Sequence, residues 1–239
     1  MELVKDLWEE KHIPEFQEYL KTFCNFEKIE WSKNLLNTEM PVLAMKNREI
    51  RKLAKEIAKG NYLSFLDLMI WEYFENTIIN GILISRIDDF DLQVKYLNIY
   101  SAQADNWATC DLLSFQVKGK EKKYFNLVLD YIQSEKPFVR RIGMSILFKF
   151  IEKEEYIEKI FDLLDRFTEE EHYYVNMMNA WLLCECFIKQ REKTLRYLER
   201  HHLNKFTINK GIQKCQDSFR VSPEDKEMLL KIKEKIKDK

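Results

Sequence analysis

Ala104 to Leu113 reads Ala-Asp-Asn-Trp-Ala-Thr-Cys-Asp-Leu-Leu and holds the residue types best suited to chemistry. Asp105 and Asn106 can cap a helix, because short polar side chains accept from the free N–H groups of a first turn. Trp107 then falls in that turn, and Asp111 follows at i+4 on the same helical face. An aromatic plane beside a carboxylate suits a flat, positively charged ligand. The same spacing recurs at Trp181 and Glu185. Core packing remains the bland alternative for each tryptophan. For Asp111 it is a satisfied polar group at a helix joint.

Two further groups could meet an anion. Arg48, Lys52, Lys55 and Lys59 recur at i, i+4, i+7 and i+11, which gathers them on one narrow helical face. That face is either solvated or turned to phosphates, since like charges so close repel unless an anion relieves them. In Phe138 to Ile151, the residues Phe138, Ile142, Ile146 and Phe150 form an apolar stripe. Arg141, Ser145 and Lys149 form the opposite, polar line. Arg141 is therefore expected to be available to a ligand or a surface ion pair, and Arg140 to pack its stem on the apolar flank.

Other chemistry is excluded or weak. There is neither a P-loop nor a Gly-x-Gly-x-x-Gly, and five glycines leave little room for either. Cys184-Glu-Cys186 has no second pair to complete a zinc tetrahedron, so no metal is expected. His201 and His202 sit where a helix should end and read as cap or solvent groups. The five cysteines are odd in number and mostly lie in apolar surroundings, so they are expected to be reduced thiols of a cytoplasmic protein. No nucleophile elbow surrounds any Ser or Cys.

The elements that must position these residues read as helices. Hydrophobic residues make up 46% and charged residues 33%, with only five glycines and four prolines. That balance fits amphipathic helices and disfavours a turn-rich sheet. Helices are expected over Met1–Leu20 with a break near Pro14, Arg48–Ala58, Leu63–Asn80, Ile82–Ile87, Asp91–Tyr100, from Asn106, and Tyr124–Gln133. They continue over Phe138–Ile151, Tyr156–Phe167, a central Tyr173–Lys189, Glu192–His201, Lys205–Ser218 and from Ser222, with a frayed lysine-rich end. Roughly a dozen helices at about 40 residues per pair predict an all-α, curved α-solenoid of antiparallel helix pairs, one domain over 1–239. No apolar run approaches the roughly 20 residues of a membrane span, and the N-terminus lacks the apolar core of an export signal. The formal charge is −1, so any DNA contact requires the basic residues to be segregated on one surface.

The segments Asp105–Asp111, Phe138-Val-Arg-Arg141, Tyr174–Trp181, Asn209–Lys214 and Phe219-Arg-Val221, in this order and spacing, resemble the DNA alkylation repair family, the AlkD-like alkylpurine DNA glycosylases built from HEAT-like repeats. The resemblance covers nearly the whole chain. It implies a solenoid whose basic concave face holds duplex DNA carrying alkylated bases. It implies excision of N3- and N7-alkylated purines with no cofactor, no membrane and no obligate protein partner. By the same resemblance, Asp111 matches the catalytic carboxylate, and Trp107 and Trp181 match the aromatic positions flanking the lesion's sugar. Arg141 matches a DNA-backbone arginine, and Arg48, Lys52, Lys55, Lys205, Lys210, Lys214 and Arg220 would serve the backbone as well. The family works without flipping the damaged base into a closed pocket, contrary to the general rule for base chemistry.

The chain departs from the family pattern at several points. Ala44-Met45-Lys46-Asn47-Arg48 stands where Gly-Val-x-x-Pro is common. A lesion-facing tyrosine falls at Leu35, and a lysine and an arginine fall at Met177 and Cys184. Reduced aromatic enclosure and basic charge leave a second possibility open, a non-catalytic solenoid that recognises DNA backbone shape or branched DNA. A protein-binding helical repeat is a third.

Overall fold

Among the described residues, apolar side chains recurring every three to four positions give fourteen α-helices and no strand. The structure is a computed structural model that describes residues 1–237, with side chains through 234. Fraying of the lysine-rich end concerns residues that lie largely outside that set. The chain divides into two compact units, Met1–Lys120 and Glu121–Lys239.

Unit 1 contains α1 (Ile13–Lys21), α2 (Ile29–Leu36), α3 (Asn47–Ile57), α4 (Tyr62–Leu68), α5 (Phe74–Ile84), α6 (Phe90–Ser101) and α7 (Trp107–Asp111). The basic helix α3 matches its expected span to one residue, and its stripe of Ile50, Leu53, Ala54 and Ile57 is buried. Three expectations fail in this unit. Met1–Glu9 is not helical; it runs as an irregular segment pinned by backbone bonds that replace a helical ladder. Asn61 N donates to Lys5 O at 2.8 Å, and Trp8 N to Ser64 Oγ at 2.9 Å. Gly60 is required at that crossing, because a Cβ there would lie 2.5 Å from the Lys5 carbonyl oxygen.

The single helix expected over Leu63–Asn80 is two. Met69 takes a left-handed conformation with φ 37° and ends α4. Asn76 Oδ1 then accepts from Tyr73 N at 2.8 Å to begin α5. The break survives because its backbone is served from the following helix: Asn80 Nδ2 donates to Ile70 O at 2.8 Å. Residues Ile82–Ile84 belong to the end of α5 and form no helix of their own.

Unit 2 contains α8 (Glu121–Tyr131), α9 (Pro137–Ile146), α10 (Ile157–Leu164), α11 (Tyr173–Lys189), α12 (Arg191–Arg200), α13 (Lys205–Asp217) and α14 (Pro223–Lys237). Pro137 occupies the first turn of α9, where its missing N–H costs nothing. The last turns expected for α9 and α10 tighten into 3-10 helix at Leu147–Lys149 and Asp165–Phe167. Helix α11, apolar nearly all round, is the centre of this unit and packs on α9, α12 and α13.

Candidate active site

Helix α7 is a single turn of five residues, too short to hold itself in place by propagation of its own ladder. Tertiary bonds position it instead. Asn106 caps it as expected, its Oδ1 accepting from Thr109 N at 3.0 Å. Tyr100 of α6 donates its hydroxyl to Thr109 O at 2.9 Å, and the Thr77 and Thr109 hydroxyls meet at 3.2 Å. On the other side Thr38 Oγ1 donates to Asp105 Oδ2, and Trp107 Nε1 donates to Leu35 O at 3.2 Å. Helices α5 and α7 approach closely because Gly81 has no side chain: a Cβ there would lie 2.5 Å from Leu112 Cδ1 and 2.7 Å from the Tyr100 hydroxyl.

The result is a fixed platform with Trp107 and Asp111 both half-buried and both facing a cavity of about 420 Å³. Neither is sealed in the core. Apolar residues Leu36, Val42, Met45, Ile50 and Ile78 make up much of its wall, and Trp31, Leu35, Arg51 and Glu75 join them. The volume falls in the range of about 300–1,000 Å³ usual for small-ligand sites.

Glu75 joins this site without having been singled out from the sequence, although it follows Trp71 at the same i+4 spacing. It is 1% exposed, and its carboxylate accepts from Leu43 N at 3.0 Å and Met45 N at 3.2 Å. Burial pushes its pKa above the ordinary 4.5, and the N–H groups of Leu43, Met45, Glu75 and Ala44 pull it back. The loop bends over this carboxylate by placing Ala44 in the left-handed region, φ 54°. That is the position where the family pattern has glycine, so the substitution carries backbone strain. Nothing local links Glu75 to a loop thirty residues earlier. Trp31, by contrast, stands four residues before Leu35, and the helical spacing could have drawn attention to it.

Arg48, Lys52 and Lys55 are all exposed on α3, and Arg51 on the same helix reaches the cavity. The basic face is therefore a surface of unit 1 beside the site.

The candidate residues of unit 2 meet different fates. Trp181 is 39% exposed and packs edge-on against Phe148 at 4.8 Å between centroids. Lys205 and Lys210 are exposed, Lys210 over the Phe206 ring, and Lys214 is half-buried. Arg220 is already engaged: its Nη1 donates to Glu185 Oε2 at 3.0 Å and its Nη2 to Glu185 Oε1. Of the departures from the family pattern, Cys184 is buried in α11.

The expected contrast between the two adjacent arginines is not what the structure holds. Arg141 is 5% exposed, with Nη1 donating to Tyr174 O. Helix α9 packs on both α8 and α11, so the side opposite its apolar stripe is also covered. Arg140 does more than pack its stem. Its guanidinium binds Glu170 twice, at 2.8 and 2.9 Å, and reaches the Ser134 and Glu135 carbonyls. Both arginines bind backbone carbonyls; burial pushes His172 below its ordinary pKa of 6.5, the Glu170 carboxylate opposes that shift, and the positive charges of Arg140 and Arg141 add to it.

Among the described residues no group of three or more His, Cys, Asp or Glu could hold a metal ion. None of the described helices is long and apolar enough to cross a membrane. The described fold is all-α, and its candidate site sets a carboxylate beside tryptophan on a one-turn helix. Residues 3–215 match the family model described as DNA alkylation repair enzyme, and the chain belongs to that family. No curated protein matches it by sequence.

Proposed function

We propose that the chain is a DNA glycosylase that hydrolyses the N-glycosidic bond of N3- and N7-alkylated purines in duplex DNA. The observation that carries this reading is the Trp107–Asp111 platform, an accessible carboxylate and indole held rigidly at a cavity wall. Membership of the DNA alkylation repair enzyme family supports it.

The chemistry follows from the substrate's charge. An alkylated purine is cationic, so it leaves as a neutral base when the C1′–N bond breaks and takes the bonding electrons with it. Positive charge then moves to the deoxyribose as oxocarbenium character. The Asp111 carboxylate stabilises that charge and orients a water whose oxygen bonds C1′ and whose proton is released. Fixed geometry matters here, because a preorganised carboxylate costs no reorganisation during the reaction. Trp107 adds cation–π attraction of about 0.5–2 kcal/mol, and Trp181 is assigned the same kind of contact. The backbone-binding role falls to Arg48, Lys52, Lys55, Lys205 and Lys210, which are exposed, and to Lys214. Arg141 and Arg220 would serve a phosphate from within their existing bonds to Tyr174 and Glu185. The helix pairs are proposed to continue as a curved HEAT-like solenoid, and no cofactor enters the reaction.

The test is release of 7-methylguanine or 3-methyladenine from methylated duplex DNA by wild type and Asp111→Asn. Loss of release with retained DNA binding is expected. Equal release by both proteins would remove Asp111 from its role. DNA binding with a steep salt dependence and no release by wild type would favour the non-catalytic solenoid.

A further inference from the structure

Helices α11 and α13 lie side by side and run in the same direction, and their register can be followed turn by turn. The Tyr173 and Phe206 rings meet at the two starts, 5.7 Å between centroids. Thr207 Oγ1 then donates to Asn176 Oδ1 at 2.8 Å, across an offset of 31 residues. One turn on, the same offset pairs Ala180 with Gly211. A Cβ on that glycine would lie 3.4 Å from the Ala180 carbonyl oxygen, so the backbones are close. The next turn pairs Cys184 with Cys215. Both thiols are free and buried, 3% and 2% exposed, and they hydrogen-bond to each other.

The pair is not symmetric. The hydrogen bond from the Cys215 thiol lowers the Cys184 pKa from its ordinary 9.0; burial and the Glu185 charge oppose that, and Arg220 and Lys214 reinforce it. The same bond, together with burial, raises the Cys215 pKa. Cys184 is therefore the better nucleophile, since the thiolate is the attacking form. Its neighbour in the chain, Glu185, is bound by Arg220, whose side chain is 48% exposed. The thiol thus adjoins a surface ion pair rather than the middle of the core. Cys186, by contrast, is 0% exposed and its pKa is pushed up by burial.

We propose that Cys184 and Cys215 are a modification site, closing to a reversible disulfide that bolts α11 to α13 when the chain meets hydrogen peroxide. The Cys184 sulfur attacks one peroxide oxygen and the O–O bond breaks. The departing hydroxide takes up the proton that Cys184 gave up and leaves as water, and Cys184 becomes a sulfenic acid. The Cys215 sulfur then attacks the Cys184 sulfur, the S–O bond breaks, and the hydroxyl leaves with the Cys215 proton as a second water. The two thiols lose two electrons and two protons, and the peroxide is reduced to two waters. A disulfide needs Cα atoms about 4.4–6.8 Å apart, and the close approach at Gly211 one turn earlier favours that separation. The inference stands apart from the glycosylase reading.

The experiment treats the full chain with a slight excess of hydrogen peroxide, unfolds it in an alkylating agent and maps its thiols by mass spectrometry. Two of the five free thiols should be lost, the peptides holding Cys184 and Cys215 should be joined, and dithiothreitol should restore both. The oxidised chain should also unfold at higher urea than the reduced one, because the bond closes a loop in the unfolded chain. Cys215→Ser should accumulate a dimedone-reactive sulfenic acid at Cys184, and Cys184→Ser should show none at Cys215. The wild-type map stands by itself should either variant fail to fold. Five retained thiols, a bond that uses Cys24, Cys110 or Cys186, a lowered urea midpoint, or dimedone labelling of Cys215 in preference to Cys184 overturns the proposal.

Discussion

Three tryptophans are each followed four residues later by a carboxylate, Trp71 and Trp107 in unit 1 and Trp181 in unit 2, and the pairs at Trp107 and Trp181 make the sharper comparison. Trp181 and Glu185 lie on the long central helix α11, where Glu185 is bound by the Arg220 guanidinium and Trp181 leans on Phe148. Trp107 and Asp111 lie on a one-turn helix held by bonds from α2, α5 and α6, and both face a cavity. Identical spacing has produced an internal ion pair in one unit and a candidate site in the other. Spacing puts two side chains on one face; whether they can act depends on what the rest of the fold supplies to that face.

The two units can be pulled further apart by substitution. Gly81→Ala should have the largest effect on stability. Its new Cβ would meet Leu112 Cδ1 and the Tyr100 hydroxyl, and that hydroxyl is held by Thr109. Overpacking of this kind costs about 1–3 kcal/mol, and displacement of α7 should lower base release with it. Gly211→Ala in unit 2 meets first the Leu183 Cδ2 methyl, the end of a flexible side chain. Urea unfolding midpoints should rank Gly81→Ala as the more damaging; the reverse order would mean that α7 is not held as described.

Next in size is Trp107→Phe, which keeps a ring but removes the bond to Leu35 O. A cost of about 1 kcal/mol is expected, with a clear fall in base release. Trp181→Phe should keep its contact with Phe148 and lose less stability. Equal losses in the two unfolding curves would argue against the Leu35 tether.

Ala44→Gly should act in the opposite direction. It relieves a left-handed alanine while adding chain entropy to the unfolded state, for a net gain of about 0.5–1 kcal/mol. No gain would mean that the Glu75-centred loop is unstrained. The smallest effect is a pH dependence. Glu75 has a raised pKa, so the folded chain holds its proton more tightly than the unfolded one. Its contribution is complete below the ordinary value of 4.5 and is lost as pH rises through the raised value. Wild type should therefore lose stability relative to Glu75→Gln as pH rises from below 4.5 toward neutrality. A gain by wild type relative to the variant over that interval would reverse the sign of the Glu75 shift.

Helices were legible wherever apolar periodicity persisted over several turns, as in α3 and α11, whose observed bounds lie within a residue of the expected ones. The cap at Asn106 and Pro137 in the first turn of α9 were legible because each acts through its immediate neighbours. Met1–Glu9 misled because its apolar Leu3 and Trp8 are buried by distant partners rather than on a helix stripe. The split between α4 and α5 was hidden because a left-handed Met69 and a side chain ten residues on, Asn80, make the break. In the site, Trp107 and Asp111 could be picked out by type and spacing. Spacing offered a hint for Trp31 and Glu75 but none for Arg51, and their meeting with Trp107 and Asp111 appears only when α2, α3 and α5 surround one cavity. Arg141 was misjudged because one helical wheel gives a polar side but not the neighbour that covers it.

The contrast between the two pairs is tested most directly by base release from methylated duplex DNA with Asp111→Asn and Glu185→Gln measured side by side. Asp111→Asn should lower the rate by about 100-fold or more while leaving DNA affinity nearly unchanged, the scale of losing one preorganised electrostatic group. Glu185→Gln, which still accepts from Arg220, should stay within about twofold of wild type. Equal rates for Asp111→Asn and wild type, or a larger loss for Glu185→Gln, would contradict the assignment of the reacting carboxylate to unit 1.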